Sequence, residues 1–254
     1  MKVGHPSQAS PKAHPAAKFA PIQSTRASDE IAAQIRRELA EGRLRIGSRL
    51  PSERALAVQF GVSRNTLRGA LRSLEHSGLI RLQMGATGGA FISEHSGEAI
   101  ITGLLDLYHL GIIKPTQLTE ARIWFESIAV RQACERATNK DISALNANIE
   151  AAAAAHAKGD FAGRSALHLD FHRILARATG NPIIEIVLNG VLDVMSHFIR
   201  TLGSYENSYV LPSRRRFMKH FVARDADSAV AEMESNLKRL RRTYFSRIDI
   251  RAKS

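Results

Sequence analysis

Residues 50–80 of this chain read LPSERALAVQFGVSRNTLRGALRSLEHSGLI, and this stretch decides the fold of the N-terminal part. A short helix is predicted over 53–60, because Ser52 can cap it and apolar residues follow at helical spacing. Gly61-Val62 forms a tight turn. Ser63 then caps a longer helix that Gly78 ends. Two helices joined by so short a turn indicate a helix-turn-helix.

The flanking residues extend this motif to a winged helix-turn-helix. Upstream, Ser28 is the expected N-cap of a first helix with apolar residues at helical spacing. Downstream, the pattern changes to a period of two over 79–84 and 90–92, and a glycine-rich turn lies between these segments. Helix, helix-turn-helix and hairpin therefore follow one another in the order of a winged DNA-binding domain.

The third helix carries one polar face without a carboxylate. This face presents Arg64, Asn65, Arg68 and Arg72. The opposite face is apolar and consists of Leu67, Ala70, Leu71 and Leu74. Solvated faces usually mix both signs of charge, whereas arginine and asparagine pair bidentately with guanine and adenine edges. We therefore predict that this helix reads DNA.

The charge distribution supports a polyanion partner. Of the net +12, residues 1–26 and 27–93 carry +4 each, residues 94–236 carry −2, and residues 237–254 carry +6. A basic module followed by a nearly neutral one indicates a nucleic-acid reader joined to a second function. The basic C-terminal segment is interpreted as a solvated helix end, with additional DNA-backbone contacts as the alternative.

Composition excludes several classes of protein. With 254 residues, 44% apolar and 24% charged, the chain is typical of a globular protein. Its single cysteine, Cys134, excludes an internal disulfide framework and a four-cysteine zinc site. We find no uninterrupted apolar run of about 18 residues and no secretory signal, so we expect a cytoplasmic protein without a membrane partner.

From residue 98 onward the pattern is helical throughout. Apolar residues recur at i, i+3 and i+4, and glycine, proline or asparagine separates the segments. The predicted helices span 98–111, 115–138, 141–157, 160–179, 182–202, 210–223 and 226–247. Short connections between long helices indicate an antiparallel all-α bundle. We therefore predict a mainly α chain with a basic disordered tail at 1–26, a winged helix-turn-helix at 27–94 and an all-α domain at 98–248.

The 28–93 stretch closely resembles the GntR family of bacterial transcription regulators. The resemblance rests on Leu50-Pro51-Ser52-Glu53-Arg54 and on Gly61-Val62-Ser63-Arg64-Asn65-Thr66-Leu67-Arg68. It implies DNA contacts from Arg54, Ser63, Arg64, Asn65, Thr66 and Arg68, to which the helical wheel adds Arg72. It also implies that the wing tip, with Gly85, Thr87 and Gly88, enters the minor groove.

The helical part is similar to the FCD-type ligand domain of the FadR-like branch. The matching pieces include Glu120-Ala121-Arg122, Phe171-His172, Gly180-Asn181-Pro182 and Arg224-Asp225. The resemblance implies a small-molecule sensor. Such domains often hold a divalent metal through an Asp or Asn, a His four residues later, and two further His on the last helices. The metal then helps to capture a carboxylate effector.

This sequence departs from that metal pattern. His168 and His172 share a helix face and can chelate zinc or nickel, but Arg214 and Asn236 stand where the two other histidines are expected. His197 is an alternative ligand. A polar core pair, a metal-free polar cluster and a metal site all remain open. We predict a weak or absent metal site, with the anionic effector bound by Arg122 and Arg214 and hydrogen-bonded by the two histidines. Asn236 is the fifth residue that we assign to the effector site.

The helix that carries Arg122 is expected to bury it. Phe125, Ile128 and Ala129 suggest a buried face, and a buried arginine needs an anionic partner. Glu126 is the local candidate and the effector is the alternative.

The chain is thus interpreted as a homodimeric, ligand-responsive regulator, and as a repressor, that binds a palindromic double-stranded operator. The alternatives are an architectural DNA-binding protein and a helical metal-dependent enzyme. We predict that it is not an enzyme.

Overall fold

The computed structural model describes residues 25–85, 88–93, 97–203 and 207–251, without the side chains of 25–26 and 249–251. The chain divides into two compact units, Met1–Ser93 and Glu94–Ser254. Most of the predicted basic tail, and residues 95 and 96 of the segment 95–97 between the two predicted domains, lie outside the described residues. Residues 25 and 26, which we assigned to the tail, belong to the first helix.

The first unit is a winged helix-turn-helix, as the sequence predicts. Its elements are α1 (Thr25–Ala40), α2 (Glu53–Phe60), α3 (Arg64–His76), β1 (Ile80–Gln83) and β2 (Gly89–Ile92). The two strands pair antiparallel, with Ile80 opposite Ile92 and Gln83 opposite Gly89. The apolar face of α3 is completely buried against the other helices and the hairpin.

Local caps explain why α2 and α3 form here. The Ser52 and Ser63 hydroxyls accept hydrogen bonds from the backbone N–H groups of Ala55 and Thr66. Gly61, at φ 63°, takes the left-handed conformation that lets the chain turn between the helices. Ser28 was wrongly predicted to be a helix cap. It lies inside α1, and its hydroxyl donates to the Thr66 carbonyl on α3, a tertiary contact that local sequence does not reveal.

The second unit is all-helical in its described residues. Its elements are α4 (Glu98–His109), α5 (Pro115–Arg136), α6 (Asn139–Ala157), α7 (Phe161–Ala178), α8 (Pro182–Leu202), α9 (Val210–Val222) and α10 (Ala226–Arg251). Most boundaries fall within two residues of the predicted ones, and α10 runs four residues further than predicted. The core is aromatic and aliphatic, centred on Phe171, Phe198, Phe217 and Phe221.

Helix α8 is long and apolar enough to cross a membrane by length and composition, although charged residues interrupt it. In the fold it is a core helix. It packs against α4, α5 and α7, and Leu188, Leu192 and Met195 on it are fully buried.

Helix α5 buries a face that the sequence did not indicate. Phe125 and Ile128 were expected inside, but they are 38% and 53% exposed. The buried stripe instead contains Arg122, Glu126 and Ala129. These positions recur at i, i+4 and i+7. Arg122 pairs with Glu126 on the same helix and Glu126 bonds to His172 of α7, so the charged residues can pack inward.

Candidate nucleic-acid interface and buried polar cavity

Helix α3 presents its polar face to solvent. Arg64, Asn65 and Arg72 are exposed. Among the described residues, none of these three side chains forms a hydrogen bond or an ion pair. Long side chains with free donors on a solvent-facing helix can enter a major groove without first breaking internal contacts.

Arg68 differs from its neighbours because it is held in place. Its Nε donates to the Glu53 carboxylate of α2 over 2.8 Å. Both side chains remain largely exposed, so the pair contributes little to stability. The bond fixes the direction of the guanidinium and leaves its terminal nitrogens available for a base or a phosphate. Glu53 therefore orients Arg68, a contact that the sequence analysis missed.

The start of α3 offers groups suited to a phosphate. The Ser63 hydroxyl lies 2.9 Å from the Thr66 hydroxyl and caps the helix. Arg54, on the first turn of α2, is exposed. Helix N-termini and hydroxyls commonly hold backbone phosphates, and such contacts fix the register of a protein on DNA.

The wing is anchored by an arginine that the sequence analysis also missed. The Arg49 guanidinium donates to the Gly88 carbonyl over 2.5 Å and lies over the Phe91 ring. Backbone hydrogen bonds from Leu50 N–H to the Ala90 carbonyl and from Ile92 N–H to the Ser48 carbonyl hold residues 48–50 alongside β2. Gly85, at φ 109°, and Gly88, where a Cβ would lie 2.3 Å from the Gln83 carbonyl, both require glycine. Thr87 lies outside the described residues.

The helical unit contains a small buried cavity with a polar wall. Its volume is about 20 Å³, room on the order of one water molecule. The polar side chains on the wall come from α5, α7 and α9 and from the segment before α9. They are Arg122, Ser165, His168, His172, Asn207 and Arg214, and Tyr244 of α10 adds a ring. Four of the five residues that the sequence analysis assigned to the effector are thus brought together.

A chain of hydrogen bonds links the charged groups of this wall. Arg122 Nε donates to Glu126 Oε1 over 3.1 Å, and His172 Nδ1 lies 2.6 Å from Glu126 Oε2. The other ring nitrogen of His172, Nε2, lies 3.1 Å from Arg214 Nη2, which also donates to the His168 carbonyl over 2.7 Å. A guanidinium can only donate, so His172 Nε2 accepts and Nδ1 carries the proton. His172 is therefore neutral.

Burial reinforces these protonation states. It lowers the pKa of His172 to about 4, although Glu126 partly opposes the effect. It lowers the pKa of His168 to about 2, helped by the Arg214 charge. Burial alone would raise the pKa of Glu126, but His172 and Arg122 more than offset it, and the carboxyl stays ionised. Burial brings the pKa of Arg214 to about 9, so it is a cation at neutral pH.

Several buried polar atoms on this wall lack a partner among the described residues. They are Nε and Nη1 of Arg214, both ring nitrogens of His168, the Ser165 hydroxyl and the Asn207 amide oxygen. Arg214 has no ion pair in the described part of the chain, although its guanidinium lies 3.7 Å from the centre of the Phe171 ring. Buried polar groups are normally satisfied, so this cluster indicates a place for a polar ligand.

Two candidates from the sequence lie elsewhere. Asn236 is buried, and its amide oxygen has no partner in the described part of the chain, but the residue does not line the cavity. Leu240 and Tyr244, one and two turns further along α10, take that wall instead. His197, the alternative ligand, does not line the cavity, and its ring packs edge-on against His109 of α4 at 5.6 Å between centroids.

Comparison with known proteins agrees with both units. The model for bacterial regulatory proteins of the gntR family matches residues 27–91, and the FCD domain model matches residues 117–239. The chain is 28% identical over 233 residues to the HTH-type transcriptional repressor NanR of Klebsiella aerogenes, covering 88% of this chain and 87% of that protein. It is 32% identical over 178 residues to NanR of Escherichia coli O127:H6, covering 68% and 65%.

The chain belongs to the GntR family. It is a transcription regulator with a winged DNA-binding domain and an FCD domain. Members of this family bind DNA and small-molecule effectors and are not enzymes. A solved structure of the same fold, Streptococcus agalactiae GntR, has a TM-score of 0.66 at 24% identity, covering 85% of this chain and 99% of that one.

The side chains of this GntR protein do not fit the metal that the FCD resemblance implies. A metal would need the Nε2 lone pair of His172, which already accepts from the Arg214 guanidinium. The same guanidinium places a positive charge where a cation would bind. No cluster of three or more His, Cys, Asp or Glu side chains suited to a metal occurs within the described ranges.

The links that the sequence analysis missed connect residues far apart in the chain. Glu126 was recognised as a neighbour of Arg122, but its bond to His172 spans 46 positions. Ser165, Asn207 and Tyr244 have no local signature that would place them on the cavity wall. Arg49 directly precedes the motif at 50–80 and Glu53 lies within it, so position relative to that motif was the one signal available for them.

Proposed function

We propose that this GntR protein is a homodimeric, cytoplasmic repressor. It binds a palindromic operator and is released by a small monocarboxylate that enters the FCD domain without a metal. Both NanR relatives are named repressors, which supports repression rather than activation. The free arginine and asparagine side chains of α3 support sequence-specific reading over architectural binding.

The observation that carries the effector class is the charge balance of the polar wall. Two buried guanidiniums, Arg122 and Arg214, face one buried carboxylate, Glu126, and both histidines are neutral. The described wall therefore has a surplus of one positive charge. A buried charge without a counterion is costly, and a monoanion would neutralise it while using the free donors of Arg214.

The dimer is supported by an apolar stripe on α5. Trp124 is 62% exposed and Ile128, one turn later, is 53% exposed, with Phe125 beside them. Exposed apolar patches mark interaction surfaces, and a two-fold dimer presents the same patch from both subunits. Two copies would in turn place two recognition helices on a palindrome.

A charge series of ligands tests the effector class. Thermal unfolding of the full chain would be followed with acetate, succinate and citrate, each with and without EDTA. We expect acetate to raise the midpoint at concentrations where the two polyanions do so less, because only one charge is in surplus. EDTA should change nothing, and elemental analysis of untagged protein should find no stoichiometric zinc or nickel.

A pair of adjacent variants provides the control. Arg214→Gln should remove the response to acetate and leave the ligand-free protein equally or more stable, since an unpaired buried charge is lost. Arg215→Gln removes an exposed charge one position along α9 and should keep the response. Stoichiometric metal, together with ligand binding that EDTA abolishes, would contradict the proposal.

A further inference from the structure

The polar cavity is too small for the whole of an organic effector. Its volume of about 20 Å³ accommodates little more than one water-sized group. Pockets that bind metabolites are typically several hundred Å³. The wall that holds Arg214 can therefore receive a carboxylate head, and the rest of the ligand must lie outside it.

A second, larger cavity adjoins the polar one. Its volume is about 440 Å³, and it lies between α7 and α8. The two cavities share three wall residues, Ser165, Leu169 and Ile199. The Ser165 hydroxyl, at this shared wall, is buried and has no partner among the described residues. A ligand whose head lies at Arg214 would pass this wall and continue into the larger cavity.

The walls of the larger cavity are mainly apolar. Phe161, Ala162, Ala166, Leu169 and Ile199 supply ring, methyl and branched aliphatic surface.

Among the described residues, few polar side chains line this cavity. They are the hydroxyls of Ser165 and Ser196 and the exposed guanidinium of Arg200. A polyhydroxylated ligand would find few hydrogen-bond partners on these walls and would gain little from them. An alkyl or aryl group would instead gain from the burial of apolar surface.

We infer that the effector is an amphiphilic monocarboxylate whose apolar tail occupies the cavity between α7 and α8. This inference rests on the proposed anion site and adds the chemical class of the ligand body. The carboxylate lies at Arg214, the Ser165 hydroxyl is at the passage, and the tail contacts Leu169, Ile199 and Ala166.

The test is a chain-length series measured by calorimetry on the full chain. Acetate, butyrate, hexanoate and octanoate share one head and differ only in tail. Each methylene that enters the cavity should tighten Kd about threefold to fourfold. Gluconate has six carbons and one carboxylate, as hexanoate has, but carries five hydroxyls. It should bind no more tightly than acetate.

Filled-cavity variants separate the tail site from the head site. Ala166→Phe and Ala162→Trp place bulk in the larger cavity from exposed positions of α7, so folding should be preserved. Both should flatten the chain-length series and leave acetate binding within about twofold. Ala154→Phe, at an exposed alanine of α6 away from both cavities, should keep the series intact.

The failures of the two proposals are distinguishable. Acetate binding that depends on Arg214, without any gain from longer tails or with tighter binding of gluconate, would overturn the apolar-tail inference alone. Chain-length gains that persist in both filled variants would also overturn it, because the tail would lie elsewhere. If no acid binds, or if Arg214→Gln binds all of them unchanged, the anion site itself is wrong and the inference fails with it.

Discussion

At Arg214 a single side chain determines which chemistry the polar cavity can use. A metal site needs lone pairs, and the guanidinium offers only donors while it occupies the lone pair of His172. A fixed cation also carries its charge at all physiological pH values. The sensor that we propose would not depend on metal supply, but the protein would have to accommodate a buried charge whenever the ligand is absent.

The neutral histidines beside Arg214 make stability depend on pH. An unfolded histidine titrates near 6.5, whereas burial holds the pKa of His172 at about 4 and that of His168 at about 2. Below about pH 6.5 and above the lowered pKa of each folded histidine, the unfolded chain binds protons that the folded chain does not. We therefore expect the free energy of unfolding to fall as the pH is lowered from about 6.5 to about 4, by up to about 1.4 kcal/mol per pH unit for each histidine.

Urea unfolding at several pH values, followed by circular dichroism, measures this slope. His168→Gln should reduce it, because the side chain that resists protonation is gone. His109→Gln, at an exposed position of α4, is the matched control and should leave the slope closer to that of the parent chain. A His168→Gln slope equal to the parent slope would show that this imidazole is not kept neutral by the fold.

On α3, individual side chains should carry the reading of DNA. Arg64→Ala and Arg68→Ala should each weaken specific operator binding by about 1–3 kcal/mol, because each removes a base or phosphate contact. Fluorescence anisotropy with a labelled operator at one fixed salt concentration measures the loss. Arg36→Ala removes the same charge from an exposed position of α1 and should cost much less. Operator affinity that is unchanged in both α3 variants would contradict the assignment.

At the scale of elements, the sequence predicts where helices lie more reliably than which face they bury. The apolar face of α3 follows from spacing alone, because leucine and alanine occupy every buried position. The same reasoning predicts the wrong buried face for helix α5. Arg122 and Glu126 go inside since His172 and Arg214, from other helices, satisfy or flank them, while Phe125 and Ile128 stay outside. The hydrophobic pattern of one helix does not show which side chains of other helices will pair with its polar residues.

The two candidate sites, the polar face of α3 and the polar cavity, also differ in how far the sequence predicts them. The exposed polar face of α3 was predictable because all of its residues lie on one helix. The cavity was only partly predictable, because its wall combines residues from 122 to 244. The resemblance to FCD domains located Arg122, His168, His172 and Arg214. It could not show that Arg214 bonds to His172, or that Asn236 lies one turn away from the wall.

At the scale of the whole molecule, regulation requires the effector and the operator to favour different states of the proposed dimer. A ligand shifts such an equilibrium only by its difference in affinity for the two states. The surface that joins two copies therefore matters as much as the cavity. The α5 stripe of Trp124, Phe125 and Ile128 is the candidate, and Trp124 is the single tryptophan of the chain.

The fluorescence of Trp124 can test the proposed dimer interface directly. If the stripe joins two copies, Trp124 emission in the intact protein should be blue-shifted relative to an exposed indole, although 62% of its surface is open in one chain alone. Ile128→Glu buries a charge in the contact and retains the reporter, so it should halve the mass in sedimentation velocity and shift the emission to the red. Val222→Glu, at an apolar residue 51% exposed on α9, should do neither. An Ile128→Glu protein that remains dimeric with unchanged emission would place the subunit interface on another face of the FCD domain.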